Sequence, residues 1–303
     1  VDVEAAEARF ADADFAGADL TGANLRAALC QQAKFPKAKL TKATLVAADL
    51  RYCDFGKAEL QGADCSDAKL GFASLELVRA DGAVFRRADF DLVRAHKARL
   101  RGADLRETRC RLGSFGGADL TGAKLDGCRF HKVDFMKAVL DAASCRGSSL
   151  QQAILRDTQA HGAVFHDADL AQVSATGVAD FSRADFTGAA APRSVWLGAR
   201  LDGAVFTRAS LPAAYFQDAR GEDTVFRGAQ LTGACLRGVQ LVRPVFEHAD
   251  LASADFNESR LDGADFRAAN CYDAKFLGAK AVRSDFTDAF LAAVQMDDPE
   301  ANS

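Results

Sequence analysis

Large apolar residues recur along this chain every five positions, and a small one precedes most of them by two. With the large residue called i, the frame runs from Phe10 to Ala175, gains one residue, and resumes from Phe181 to Met296. The first frame holds 34 repeats and the second 24, and among these 58 Leu or Phe occupies i 44 times and Ala occupies i−2 41 times. A five-residue period fits neither regular element. On an α-helix the apolar residues would travel round the cylinder, and on a straight strand successive i residues would fall on opposite faces. The pattern closes only if the chain turns a corner after every repeat, so that i and i−2 point inward and i−1, i+1 and i+2 point outward. It predicts an all-β solenoid in which each coil buries its apolar face against its neighbours.

The repeats Ala18-Asp19-Leu20-Thr21-Gly22, Ala118-Asp119-Leu120-Thr121-Gly122 and Ala264-Asp265-Phe266 carry a specific signature. They resemble the pentapeptide-repeat family, whose motif is Ala-(Asp/Asn)-Leu-X-X, and the resemblance extends over nearly the whole chain. It implies a right-handed quadrilateral parallel β-helix with four repeats per coil, hence about 14 coils and a body roughly 70 Å long at an inter-strand spacing of about 4.8 Å. Residues 1–296 are expected to form one solenoid, with the extra residue between 175 and 181 taken up as a bulge or corner loop around Gly177. Residues 297–303 read as an acidic, disordered tail. The opening Val1-Asp2-Val3-Glu4, without an initiator methionine, suits an excised part of a longer protein.

Departures from Leu or Phe at i are themselves ordered. Cys30, Cys65, Ala80 and Ala95 recur 80 residues later as Cys110, Cys145, Ala160 and Ala175, which points to a duplication of four coils or an imposed repeat of core shape. In a four-sided coil, i residues two repeats apart face each other. Ala80 then opposes Phe90 and Ala95 opposes Phe85, small against large as close packing requires. Trp196, at i, stacks one coil above Ala175, and Gly221 occupies another i position. Seven of the eight cysteines point inward and only Cys235, at i−1, points out, so reduced thiols in a reducing, cytoplasmic setting are expected.

Composition excludes more than it identifies. No apolar run approaches the roughly 20 residues of a membrane span, and no secretory leader is visible. The five histidines, His96, His131, His161, His166 and His248, all fall at outward positions without a shared column, with Asp141 below His161 the nearest approach to a dyad. There is no Gly-rich phosphate loop, zinc signature or nucleophile elbow. The aspartates at i−1 read as solvated or turn-binding groups and not as acid–base pairs. A non-catalytic protein without cofactor or metal is expected.

The outer surface offers a candidate. Sorting outward residues into columns 20 apart brings Tyr52, Phe72, Leu92 and Leu112 to one position on four successive coils, an apolar ladder of about 15 Å. A neighbouring column holds Lys37, Lys57, Lys97 and Lys137, interrupted by Leu77. Phe290 points outward near the C-terminal end. These residues read as contacts for a protein partner, or for self-association through the ladder or the C-terminal end. The resemblance adds two function classes: a docking scaffold, as in pentapeptide arrays that end larger bacterial proteins such as type VI secretion adaptors, or a DNA mimic that protects gyrase. The net charge is only −4, and residues 51–150 hold 18 basic against 14 acidic side chains. Duplex DNA carries one negative charge per about 1.7 Å, so the scaffold is favoured. Direct nucleic-acid binding is disfavoured, because basic residues are mixed with acidic ones.

Overall fold

The computed structural model describes residues 3–297; the tail expected beyond Asp297 lies outside the described residues. The chain divides into two compact units, Val1–Ile154 and Leu155–Ser303. In the N-terminal unit the i−1 residues pair in parallel 20 positions apart, from Glu4 with Asn24 to Asp134 with Ile154. The pairing broadens into short strands where β1 (Arg109–Arg111) meets β2 (Arg129–His131), with Cys110 opposite Phe130. The C-terminal unit repeats the arrangement with β3 (Arg220–Glu222) on β4 (Gln240–Val242) and β5 (Lys275–Phe276) on β6 (Gln295–Met296). Each unit is a stretch of right-handed quadrilateral β-helix.

Backbone hydrogen bonding explains the repeat. Tyr52, Asp54 and Phe55, at i+2, i−1 and i, donate their N–H groups to Gly71, Ala33 and Ser74 of adjacent coils at 3.0, 3.1 and 2.8 Å. The N–H of i−2 closes the corner onto the preceding i carbonyl, as from Ala58 to Phe55 at 2.8 Å. Only the i+1 N–H is left, and the i−1 aspartate accepts it: Asp54 Oδ1 from Gly56 at 2.8 Å, Asp134 from Met136 at 2.8 Å, Asp285 from Thr287 at 2.9 Å. The aspartate of the motif is thus a backbone cap.

The inserted residue is confined to one corner. Gln159 pairs with Asp180 and Ser174 with Val195, 21 apart, and the spacing returns to 20 at Asp180 with Arg200. Val178 donates its N–H to Asp157 Oδ1 at 3.0 Å. Gly177 is required there: its φ is +75°, and a Cβ would come within 2.1 Å of that same oxygen. At Gly221 a Cβ would come within 2.5 Å of Thr224 Oγ1, which donates to the Leu201 carbonyl; the threonine at i−2 fills the space that a large i residue leaves.

The two interiors differ. In the C-terminal unit Phe165, Phe186, Phe206, Phe226, Phe246, Phe266 and Phe286 stack with centroids 4.6–5.0 Å apart. Rings two repeats apart meet across the interior edge-to-face, as Phe206 with Phe216 at 5.7 Å and Phe246 with Phe256 at 5.5 Å. Trp196 is fully buried, and its Nε1 donates to Ser194 Oγ at 2.7 Å. In the N-terminal unit a stack of Phe15, Phe35 and Phe55 gives way to Leu75 and Ala95 in the same column. Seven cysteines are buried and Cys235 is half-buried. Burial pushes the thiols of Cys30 and Cys271 up to about 11 and that of Cys128 to about 12.

Candidate functional site

Every corner places its i+2 residue at positive φ, the sign pattern of a type II turn. Glycine adopts this conformation freely, whereas an L-residue with a side chain is disfavoured there by roughly 1–2 kcal/mol. Tyr52, Phe72, Leu92 and Leu112 nevertheless sit at φ of 63°, 62°, 58° and 56°, and Leu77 at 57°. All are exposed, at 55%, 46%, 40%, 58% and 45%. Conformation and solvation both oppose these five residues, and neither cost is repaid by burial within the chain.

The four ladder residues follow one another on successive coils of the N-terminal unit. The Tyr52 and Phe72 rings stack at 4.8 Å and 14°. Leu92 and Leu112 continue the column into a shallow hollow shared with Asp91, Arg111, His131 and Lys132. The next corner of the same coils carries Lys57, Leu77, Lys97 and Gly117, with Lys37 one coil before and Lys137 one coil after in the same column. Between the two corners runs the paired column Asp54, Ser74, Arg94, Ser114 and Asp134. Ser74 and Ser114 leave the middle of this face low, with Ser114 Oγ bonded to His96 Nε2 at 3.0 Å.

Arginine and lysine behave differently on this surface. Three arginines beside the ladder are engaged, Arg51 with Asp49 at 2.6 Å, Arg111 with Asp91 at 2.6 Å and Arg87 with Asp67 at 2.7 Å, whereas Arg94 makes no ion pair among the described residues. The Arg51 guanidinium holds the Asp49 carboxyl below its usual range against the opposing effect of burial, and Arg87 does the same for Asp67. Among the described residues no lysine takes part in an ion pair; every one is made by arginine or histidine. Lys57, Lys97 and Lys137 therefore present uncompensated charge beside the apolar corner.

Phe290 is also exposed, but it belongs to the C-terminal unit, where its ring stacks on Tyr272 at 6.2 Å. Leu291 and Met296 of that stretch are exposed as well. Column sorting missed the histidine pairs. His161 Nε2 lies 3.0 Å from Asp180 Oδ2, and His166 Nε2 lies 2.6 Å from Asp185 Oδ2. Both run diagonally, from i+1 to the i−1 residue of the next coil. The same diagonal links Arg86 to Asp104 and Gln31 to Asp49 at an offset of 18, and the inserted residue makes it 19 for the histidines. An offset of 18 was the signal available in the sequence. No cluster of His, Cys, Asp and Glu among the described residues could hold a metal ion, and none of their helices is long and apolar enough to cross a membrane.

Comparison with known proteins places this surface on a recognised scaffold. The chain is 26% identical to HetL, a pentapeptide repeat protein involved in heterocyst differentiation regulation from the cyanobacterium Nostoc sp. strain PCC 7120, over 81% of this chain and 90% of that one, with a TM-score of 0.36. It is 18% identical to a trypsin-treated form of QnrB1, a plasmid-mediated fluoroquinolone resistance protein, over 70% and 91% of the two chains, with a TM-score of 0.31. A pentapeptide repeat protein of the Arabidopsis thaliana thylakoid lumen is 26% identical over 31% of this chain and 62% of its own, with a TM-score of 0.21. No curated protein matches. The family described as pentapeptide repeats matches in eight copies, over residues 6–41, 38–76, 63–107, 114–144, 143–178, 179–218, 206–241 and 245–288. Since those copies cover most of the sequence, and the i−1 cap and positive-φ corner recur in every stretch described above, the chain belongs to the pentapeptide-repeat family.

Proposed function

We propose that this chain is a non-catalytic docking scaffold that binds a protein partner through the apolar corner of its N-terminal unit. The observation that supports this reading most directly is the run of Tyr52, Phe72, Leu92 and Leu112, exposed on four successive coils in a backbone conformation that favours glycine. Contiguous exposed apolar surface marks contact sites, and here it is kept against a local conformational preference. A photo-crosslinking residue placed at position 72 or 92 in the cell of origin is expected to capture a discrete protein, and the same residue at Gly233, a corner of the C-terminal unit, is not. Absence of any protein adduct at 72 and 92 overturns the reading.

Gyrase protection by DNA mimicry receives less support. A mimic of duplex DNA needs free negative charge along its surface. Here Asp67, Asp91, Asp104, Asp223 and Asp265 are each paired with arginine. A gyrase supercoiling assay containing a fluoroquinolone is expected to run the same with and without the protein; protection near stoichiometry would reverse the order.

A further inference from the structure

We infer that the segment bound at this corner is an acidic, amphipathic α-helix lying along the ladder. The inference rests on the docking role proposed above and names the chemistry of the partner. Three observations lead to it.

The first is that the ladder corner leaves few main-chain N–H donors to offer a strand. At the ladder corner the N–H groups of Tyr52, Phe72 and Leu92 donate to Gly71, Asp91 and Arg111 of the next coil. Two of the i+1 groups are capped as well: Asp91 N–H by Asp89 at 3.1 Å and Arg111 N–H by Asp91 at 2.9 Å. A partner strand could donate to the i+2 carbonyls but would find few N–H groups to accept from, so it would gain only part of the ladder of main-chain bonds that gives strand addition its affinity. A helix satisfies its own backbone and needs only side-chain contacts.

The second is spacing. Ladder residues recur at the coil repeat, and the Tyr52 and Phe72 rings lie 4.8 Å apart. Four residues therefore span about 14 Å at that spacing. Apolar residues alternately three and four apart on a helix advance about 5.3 Å each, or about 16 Å over three steps. Same-face residues of a strand advance about 6.7 Å, or about 20 Å over three steps. The helix keeps register with all four ladder residues within about 2 Å, and the strand drifts by more than one whole coil.

The third is charge. The corner beside the ladder carries Lys57, Lys97 and Lys137, none of them paired, against the single carboxylate Glu76 in its i+1 column. Arg94 stands between the two corners, also unpaired. Glutamates or aspartates flanking the apolar stripe of a helix would meet these cations. A single-stranded nucleic acid fits less well, because Leu92 and Leu112 offer no π face for base stacking.

The test is a selection of display libraries on the whole chain, one library encoding helical peptides with randomised surface positions and one encoding extended peptides. Enrichment from the helical library is expected, with apolar residues at alternating spacings of three and four and an excess of Asp and Glu on the flanks. The enriched peptides should lose at least tenfold in affinity for the Phe72→Glu/Leu92→Glu variant and several-fold for Lys57→Glu/Lys97→Glu, and binding should weaken with added salt. Glu107 and Glu258 already occupy the same corner position at φ of 61° and 60°, so these variants suit the backbone; circular dichroism and thermal unfolding confirm it. Enrichment of extended peptides, helices without acidic excess, or binding indifferent to both variants overturns the inference. Preferential binding of an oligothymidine probe to the same corner overturns it too. If crosslinking at position 72 captures a protein while the selection fails in one of these ways, the docking role stands and only the helical, acidic partner falls.

Discussion

The two units share one backbone pattern but fill its interior and its corners differently. Inside the C-terminal unit seven phenylalanines stack without interruption and Trp196 packs edge-on against Phe186 and Phe206, while exposed residues such as Tyr215, Tyr272 and Phe290 stand at i−1 and i+1. Its positive-φ corners hold Gly, Asp, Arg and other polar or small residues, with nothing apolar larger than alanine. Both units admit Cys or Ala at some interior i positions, but among the described residues it is the N-terminal unit that places bulky apolar residues, five of them, on its positive-φ corners. It also holds ten of the twelve lysines, Lys275 and Lys280 being the other two. The contrast teaches that the coil separates stability from recognition. Interior positions i and i−2 set how well coils pack, while i+2 can be altered for a partner at a modest, local conformational penalty.

The sharpest way to probe the contrast is in the aromatic interior. Phe206 touches Phe186, Phe226, Trp196 and Phe216, so Phe206→Ala is expected to destabilise the C-terminal unit by about 3–5 kcal/mol, read from denaturant unfolding. A loss well under 1 kcal/mol would mean the stack contributes little beyond filling space. The N-terminal interior should fail in the other direction. Ala80 is fully buried, and Ala80→Leu is expected to cost about 1–3 kcal/mol by overpacking. An unchanged melting temperature would show a slack core there and refute the facing arrangement for that coil.

Smaller effects address the surface. Replacing Leu112 by Gly removes a left-handed penalty of roughly 1–2 kcal/mol and adds a glycine entropy cost of about 0.5–1 kcal/mol, so a net stabilisation near 0.5 kcal/mol is expected together with weaker partner capture. Destabilisation would show that Leu112 serves the fold and not a contact. Smallest of all is a labelling difference. Thiol reagents at neutral pH should modify Cys235 in the folded protein and the other seven only after unfolding, since burial both shields those sulfurs and keeps them protonated. Rapid modification of Cys30 or Cys128 would contradict the closed interior of the N-terminal unit.

Much of this was legible from the period alone, because side chains five apart can share a direction only if the chain turns between them. That consequence covers the burial of Leu50, Ala58 and Trp196, the outward aspect of Tyr52, Phe72, Leu92 and Leu112, and the seven inward cysteines. It did not reach the diagonal contacts, because column sorting compares like positions, while His166 and Asp185 occupy different ones. Nor did it say which group the i−1 aspartate binds, since the i+1 N–H left over at these corners is identified only after the others have found partners.

What the sequence determined by itself is therefore a direction for each side chain, inward or outward, which follows from a repeat length and local geometry. Only the tertiary structure decided the sign of φ at each corner, the pairing of many arginines but of no described lysine, and the use of most main-chain N–H groups in bonds between coils. Those depend on where the next coil lies, a few ångströms away in space and about 20 residues away in the chain.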